Sequence, residues 1–157
     1  MHGKYKFKME KLLIITPVKD SIQTTLDTIH AIMESRITTP HSYTIYNDNS
    51  TAENTAILEK EAEKYGFRLV NICDLTDHPS PNYLLVLQMA QREALEQNAG
   101  LCIVESDVTV KPDTLQRLFD GAKTRKDCGI AAAVTVDGNG DINYPYLYAK
   151  GRENQEY

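Results

Sequence analysis

Two acidic side chains that directly follow an apolar run are the part of this sequence best suited to chemistry. Residues 101–104 are apolar, and Glu105, Ser106 and Asp107 come next. A continuous apolar run is typical of a strand buried on both faces of a parallel sheet. On an extended backbone, side chains two apart point the same way, so we expect Glu105 and Asp107 to converge on one cation or polar ligand.

The elements around these acids predict an α/β protein. Apolar runs alternate with segments of helical period, which favours a parallel sheet covered by helices and joined by right-handed crossovers. We therefore predict a three-layer α/β/α sandwich with a mostly parallel central sheet and a C-terminal β-hairpin. The predicted strands are residues 12–15, 43–46, 67–73 and 101–104, followed by a hairpin of 130–136 and 142–148. Ligands of such sheets bind beyond the carboxyl ends of the strands, which is where the acids lie.

Several residues predict where helices begin and end. Ser50 with Glu53 fits a capping box at the start of the second helix. Gly66 is expected to end that helix, and Gly100 to end the third. Pro112 is expected in the first turn of the fourth helix, where proline is tolerated.

Bulk composition indicates one globular domain. The chain has 157 residues, 41% of them hydrophobic and 25% charged. We expect residues 1–11 to be a basic flexible tail, 12–150 the α/β domain, and 151–157 a polar frayed tail. The net charge of -5 at pH 7 argues against nucleic acid as a partner. No apolar run approaches the roughly 18 residues that span a bilayer, so no transmembrane segment is predicted.

The three cysteines indicate a cellular compartment. Cys73, Cys102 and Cys128 are odd in number and widely spaced, and each lies in apolar sequence. This pattern favours free thiols over disulfides or a metal cluster. A cytoplasmic protein is therefore expected.

Three segments in order resemble the family 2 glycosyltransferases, whose nucleotide-sugar-binding part has the GT-A fold. Residues 13–18 (Leu-Ile-Ile-Thr-Pro-Val) are similar to the family's first strand, and residues 45–51 (Ile-Tyr-Asn-Asp-Asn-Ser-Thr) to its acidic second turn. Residues 105–107 (Glu-Ser-Asp) occupy the place of its DxD motif, and residues 111–118 continue as the family does. The Asp-Gly hairpin within residues 134–142 is a weaker match. Together these segments cover about residues 12 to 148.

The resemblance implies binding of a nucleotide-diphospho-sugar, with a UDP-sugar favoured, and of a divalent cation, Mn or Mg. Hard cations take oxygen ligands and neutralise a diphosphate leaving group. Asp107 is the implied metal ligand, and Glu105 contacts the ribose or reaches the metal through water. A cap before Pro112 is the alternative interpretation of Asp107.

The resemblance also implies the nucleotide pocket. Asp48 would accept a hydrogen bond from the base edge, and Thr16 and Val18 would form the walls of the base pocket. The alternative interpretation of Asp48 is a turn residue that caps a helix. The implied nucleotide-binding residues are Thr16, Pro17, Val18, Asp48, Glu105 and Ser106.

The sequence departs from the family in several places. Glu105 stands where the motif has aspartate, and Asn47 where a second acid is usual. The acceptor site and general base of the family lie beyond the hairpin. Nothing favours Asp137, Asp141 or Glu153 as that base, so the catalytic residue is unknown. We expect a donor-binding part truncated before the acceptor site, acting on an acceptor that the sequence does not identify.

Two other functions compete with a glycosyltransferase. A sugar-phosphate nucleotidyltransferase shares the fold, but its glycine-rich loop is absent from residues 17–21, and no dinucleotide-binding G-x-G-x-x-G occurs. A non-catalytic nucleotide-sugar-binding or protein-interaction domain is the other alternative. Glu105, Asn47 and the missing base all fit it.

Overall fold

A computed structural model describes residues 9–125 and 127–143 of the chain. Its centre is a four-stranded sheet in the order β3-β2-β1-β4, with all neighbouring strands parallel. The strands are β1 Lys11–Val18, β2 His41–Asn47, β3 Arg68–Asn71 and β4 Ala99–Ile103. The helices are α1 Ile22–Met33, α2 Ala52–Tyr65, α3 Tyr83–Glu96 and α4 Thr114–Thr124, with a 3-10 turn at Ile72–Asp74.

Apolar residues on both faces of the sheet produce the three layers. On β1, Leu12 and Ile14 pack in one core cluster with residues of α1, α2 and α4. Ile15, the next residue along the strand, packs on the opposite face against Val86 and Ala90 of α3. All three of these β1 side chains are at most 4% exposed. The predicted α/β/α sandwich with a mostly parallel sheet is confirmed.

The order of the strands creates a crevice between β1 and β4. From β1 the chain adds β2 and then β3 on one side, and α3 carries it back across the sheet to β4 on the other side. In open α/β sheets, ligands bind at the carboxyl ends of the strands where the order reverses in this way. The end of β1 and the residues after β4 therefore form the expected position of a site.

Some predicted boundaries are wrong. The second helix is capped by Thr51, whose side chain accepts a hydrogen bond from the N–H of Asn54, and not by Ser50. Gly66 does end that helix, in the left-handed conformation at φ 76°. Gly100 lies within β4, and α4 begins at Thr114, so Pro112 precedes the helix.

β1 and β3 also differ in length from the prediction. β1 continues through Pro17 to Val18, which pair with Tyr46 and Asn47 of β2. Pairing with β4 has ended by then, at Ile15, so the missing N–H of the proline costs no hydrogen bond in the sheet. β3 is shorter than expected because residues 72–74 turn into the 3-10 helix.

The predicted fifth strand over residues 130–136 is wrong. Within the described residues a single antiparallel bridge, between Val136 and Ile142, is present there, and it closes the predicted hairpin turn. Alanine is a weak strand former, and three alanines fill the centre of this segment. Its residues instead line, with β4 and α4, an apolar cavity of about 560 Å³. Residues 144–157, which include most of the second arm of the hairpin and the polar tail, lie outside the described residues.

The predicted basic tail is described only at its end. Residues 1–8 lie outside the described residues, and β1 already begins at Lys11. Met9 packs against the main core. No helix in the described part of the chain has the length and hydropathy that crossing a membrane requires.

Candidate functional site

The two predicted metal ligands lie in a turn at the carboxyl end of β4. The N–H of Val104 donates to the carbonyl of Ile15 at 2.9 Å, which holds the start of this segment beside β1. The N–H of Val108 then donates to the carbonyl of Glu105 at 3.3 Å, so Ser106 and Asp107 are the central residues of a turn. The expected extended backbone is therefore wrong, because serine and aspartate favour turns. Because the backbone turns here, the alternation of side chains along a strand does not make the two carboxylates point in the same direction.

Glu105 and Asp107 differ in their partners. Both side chains are exposed. The hydroxyl of Tyr83, the first residue of α3, donates to Oε1 of Glu105 at 2.7 Å. This hydrogen bond to a carboxylate, together with desolvation, raises the pKa of Tyr83 to about 12. Asp107 has no hydrogen-bond or ion-pair partner among the residues that the structure describes, so its carboxylate is open to a ligand.

Asp48 lies in a buried network at the end of β2. Its side chain is 7% exposed and accepts three hydrogen bonds of 2.7 Å, from the hydroxyl of Ser80 and from the backbone N–H and side-chain amide of Asn82. Desolvation would raise the pKa of Asp48, but the hydrogen bonds from Asn82 and Ser80 and the charge of Lys19 outweigh it, and the pKa is lowered. Asn82 is the N-cap residue of α3, so Asp48 anchors the start of that helix.

The predicted base-pocket residues of β1 point in different directions. Thr16 is fully buried and accepts a hydrogen bond from the hydroxyl of Tyr43 at 3.0 Å. Val18 is 2% exposed and belongs to the main core. Both side chains therefore face away from the crevice. Pro17 is half-buried, and strand alternation turns its carbonyl toward the side where β4 has already ended.

Two loops beside Asp48, one at Asp20 and one at residues 50–51, are joined by hydrogen bonds. Oδ1 of Asp20 accepts from the N–H of Thr51 at 2.8 Å, and the N–H of Asp20 donates to the hydroxyl of Ser50 at 2.8 Å. The hydrogen bond from Lys19, followed by those from Thr51 and Asn54, lowers the pKa of Asp20 to about 2. Asp20 and its neighbour Ser21 both have positive φ, a strained conformation that these hydrogen bonds hold in place.

Asn47 has a physical reason to be an amide rather than an acid. It is 2% exposed, and its Nδ2 donates to Thr55 Oγ1 and to Asn71 Oδ1, each at 2.9 Å. Its Oδ1 accepts from the N–H of Ser50 at 3.3 Å. A carboxylate accepts hydrogen bonds and cannot donate them, so it would lose both donated contacts. The departure from the family's acidic pair therefore supports the fold locally.

The carboxylates of Glu105 and Asp107, after β4, fit a divalent ion whose other ligands include a phosphate. Within residues 9–125 and 127–143 there is no cluster of three or more His, Cys, Asp or Glu suited to a metal. Glu105 and Asp107 provide carboxylates only, which suits Mg or Mn. Mg in particular is commonly bound by one or two carboxylates with substrate phosphates and water completing its shell.

The residues that connect the parts of this site are not identifiable from the sequence alone. Ser80, Asn82 and Tyr83 contact Asp48 or Glu105, and none of them stands in a motif. The available signal was their position at the start of α3, which must begin at the carboxyl edge of the sheet. That position alone does not identify the acid with which each residue pairs.

A solved structure of another protein shares this fold. The mannosyltransferase PcManGT from Pyrobaculum calidifontis, in complex with GDP-Man and Mn2+, is 17% identical over 69% of this chain and 31% of that chain, with a TM-score of 0.54. At this identity the likeness shows a shared fold, which confirms the predicted GT-A-like architecture.

Two structures of S. aureus TarS 1-349 are also similar. One is 19% identical over 71% of this chain and 33% of that chain, and the other, in complex with UDP-GlcNAc, is 20% identical over 71% and 32%. Both have a TM-score of 0.49. The chain thus spans about a third of the length of these three structures. Neither a protein-family model nor a curated protein matches its sequence.

Proposed function

We propose that the chain is the donor-binding part of a family 2-like glycosyltransferase, which binds a nucleotide-diphospho-sugar through a divalent Mn or Mg ion. The observation that carries the proposal is the position of Glu105 and Asp107, in a turn after β4 at the crevice beside β1, with Asp107 unpartnered among the described residues. The shared fold with a mannosyltransferase whose complex holds GDP-Man and Mn2+ supports it.

Within this proposal, Asp107 binds the metal ion, which neutralises charge on the diphosphate. Glu105 assists through water or binds the ribose, and Ser106 lies between them in the same turn. The half-buried Ser106 offers its hydroxyl and backbone to the donor.

The nucleobase would lie at the end of β1. Thr16 and Val18 would only border the base pocket, since their side chains are in the core and the carbonyl of Val18 already accepts from the N–H of Asp48. The carbonyl of Pro17 would accept a base-edge N–H. Asp48 already accepts three hydrogen bonds, and Oδ1, which takes only one of them, has the free acceptor capacity for a base.

A thermal-shift panel of nucleoside diphosphates, with Mn, Mg or EDTA, tests the proposal. We expect UDP with Mn to raise the melting temperature, by about 5–10 °C if UDP is present at about 100 times its dissociation constant. Asp107→Ala should abolish the part of the shift that depends on Mn, and EDTA should leave only the smaller shift that contacts with the nucleoside provide. Asp27→Ala is the matched control, because Asp27 is an exposed aspartate on α1. A flat response to every nucleotide with both metals would refute nucleotide-sugar binding.

A non-catalytic nucleotide-sugar-binding domain is the second candidate. One observation favours it: Oδ1 of Asp137, a candidate base, accepts from the N–H groups of Asn139 and Asp141 and so holds its own turn. Slow donor hydrolysis with Mn distinguishes the two, because transfer to water needs no acceptor site. Hydrolysis that Asp107→Ala removes supports the transferase, and binding without hydrolysis supports the second candidate.

The three cysteines are free thiols, which supports a cytoplasmic location as part of the same proposal. The acceptor would be bound by a segment or partner outside the described residues.

A further inference from the structure

The first residues of α3 contact both predicted acids of the site. Asn82 donates its backbone N–H and its side-chain amide to Asp48, at 2.7 Å each. Tyr83, the next residue, donates its hydroxyl to Oε1 of Glu105, also at 2.7 Å. Adjacent residues of one helix start are therefore bonded to acids that follow different strands.

These two contacts reach across the crevice. Asp48 follows β2 and Glu105 follows β4, and β1 lies between those strands in the sheet. Neighbouring strands are about 4.8 Å apart, so the two strand ends are roughly 10 Å apart. The start of α3 spans that gap, anchored at one end by the buried Asp48.

We propose that Tyr83 is a positioning residue, which holds the Glu105 carboxylate ready for the metal-diphosphate group of the donor. This inference rests on the proposed function. The hydrogen bond uses Oε1 of Glu105 and leaves Oε2 without a partner among the described residues.

The reason that such a contact matters is conformational freedom. An exposed glutamate samples many rotamers, and a ligand must select one of them at a cost in entropy. A hydrogen bond made before the ligand arrives fixes the carboxylate in advance, so less binding free energy is lost on ordering. Tyr83 is itself restrained, because the preceding residue is held by Asp48.

The test compares UDP binding by calorimetry in Mn and in EDTA for the full chain and four variants. These are Tyr83→Phe, Glu105→Gln, the double variant, and Tyr65→Phe. Tyr83→Phe removes only the hydroxyl from a ring that is 41% exposed, so the fold should be kept, and circular dichroism checks it. Tyr65→Phe is the control, because Tyr65 lies at the end of α2 against His30 and Lys64.

We expect Tyr83→Phe to weaken UDP binding in Mn about tenfold, the usual effect of losing a residue that orients a metal ligand. Binding in EDTA should stay within about twofold, since only the metal-dependent part is affected. In the Glu105→Gln background the same change should have less than about a twofold effect, because the interaction it removes is already weakened. Tyr65→Phe should match the wild type.

Three results would overturn the inference while leaving the proposed function intact. They are an unchanged affinity in Mn for Tyr83→Phe, an equal loss in Mn and EDTA, and an undiminished loss in the Glu105→Gln background. An equal loss would mean that Tyr83 and Glu105 act on the ribose or the fold and not on the metal-diphosphate group. An undiminished loss would mean that Tyr83 acts without Glu105. If the wild-type chain bound UDP in neither Mn nor EDTA, both proposals would be refuted. This outcome is distinguishable from the other three, because in those the wild type does bind UDP.

Discussion

Replacing Asp48 with asparagine removes the charge that holds the start of α3 while keeping the size of the side chain. An amide has one acceptor oxygen, whereas the carboxylate offers two oxygens to three donors. An amide NH2 in place of Oδ1 would face Nδ2 of Asn82. Asn82 cannot turn its amide around without losing the 3.2 Å hydrogen bond to the carbonyl of His78.

We expect Asp48→Asn to lower the free energy of unfolding by about 2–3 kcal/mol, since at least one hydrogen bond to a charged acceptor is lost and each contributes roughly 1.5–3 kcal/mol. For a domain of this size, that corresponds to a fall in melting temperature of about 4–12 °C. Urea unfolding followed by circular dichroism suits this chain, which has no tryptophan. The dependence of the unfolding free energy on urea should keep its slope.

The pH dependence provides an independent check. The pKa of Asp48 is lowered below the model-peptide value of 3.8 because its hydrogen bonds to Asn82 and Ser80, with the charge of Lys19, outweigh desolvation. A carboxyl group with a lower pKa in the folded state stabilises the fold above its unfolded pKa, and this stabilisation is lost as the pH falls through the folded pKa. The stability difference between wild type and Asp48→Asn should therefore be constant at neutral pH and shrink below about pH 4.

Asp27→Asn, an exposed substitution on α1, should cost less than about 0.5 kcal/mol. If Asp48→Asn cost as little as this control, the carboxylate would not anchor α3. A difference that stayed constant down to low pH would contradict the lowered pKa.

Three further predictions concern thiol reactivity and helix ends. Burial raises the pKa of Cys102 to about 11, so Cys102 should react with iodoacetamide at mildly alkaline pH much more slowly than the exposed Cys73. Mass spectrometry measures the two rates, and equal rates would contradict the burial of Cys102. Thr51→Ala removes the hydrogen bond to the N–H of Asn54 and should cost about 1 kcal/mol in urea unfolding, whereas Thr51→Ser should be close to neutral. Gly66→Ala forces a side chain into φ 76° and should destabilise by about 1 kcal/mol; no change in the melting temperature would argue against the left-handed helix end.

Apolar periodicity was enough to predict the order of strands and helices through α4, because burial on both faces of the sheet leaves a strong pattern. The helix start at Thr51 was missed for a physical reason. Ser50 was expected to cap α2, but its hydroxyl accepts from the N–H of Asp20, 30 residues earlier. A capping box considers local partners only, so a contact between two loops can displace it.

The position of the acids after β4 was predictable, but their orientation was not. The sequence places Glu105 and Asp107 at the carboxyl edge of the sheet whether or not the backbone stays extended. The turn at Ser106 decides where the side chains point. Serine next to aspartate favours such a turn, even directly after an apolar strand.

The contacts between elements follow from topology only in part. A crossover helix that joins parallel strands must begin at the carboxyl edge of the sheet, so the first residues of α3 had to lie near the site. The partners they contact are 22 residues away for Tyr83 with Glu105 and 34 for Asn82 with Asp48. No local sequence pattern predicts which residues pair, because the pairing depends on the position of α3 on the face of the sheet. That position depends on the packing of Val86 and Ala90 against Ile15, so the geometry of the site depends on the fit of the core beneath it.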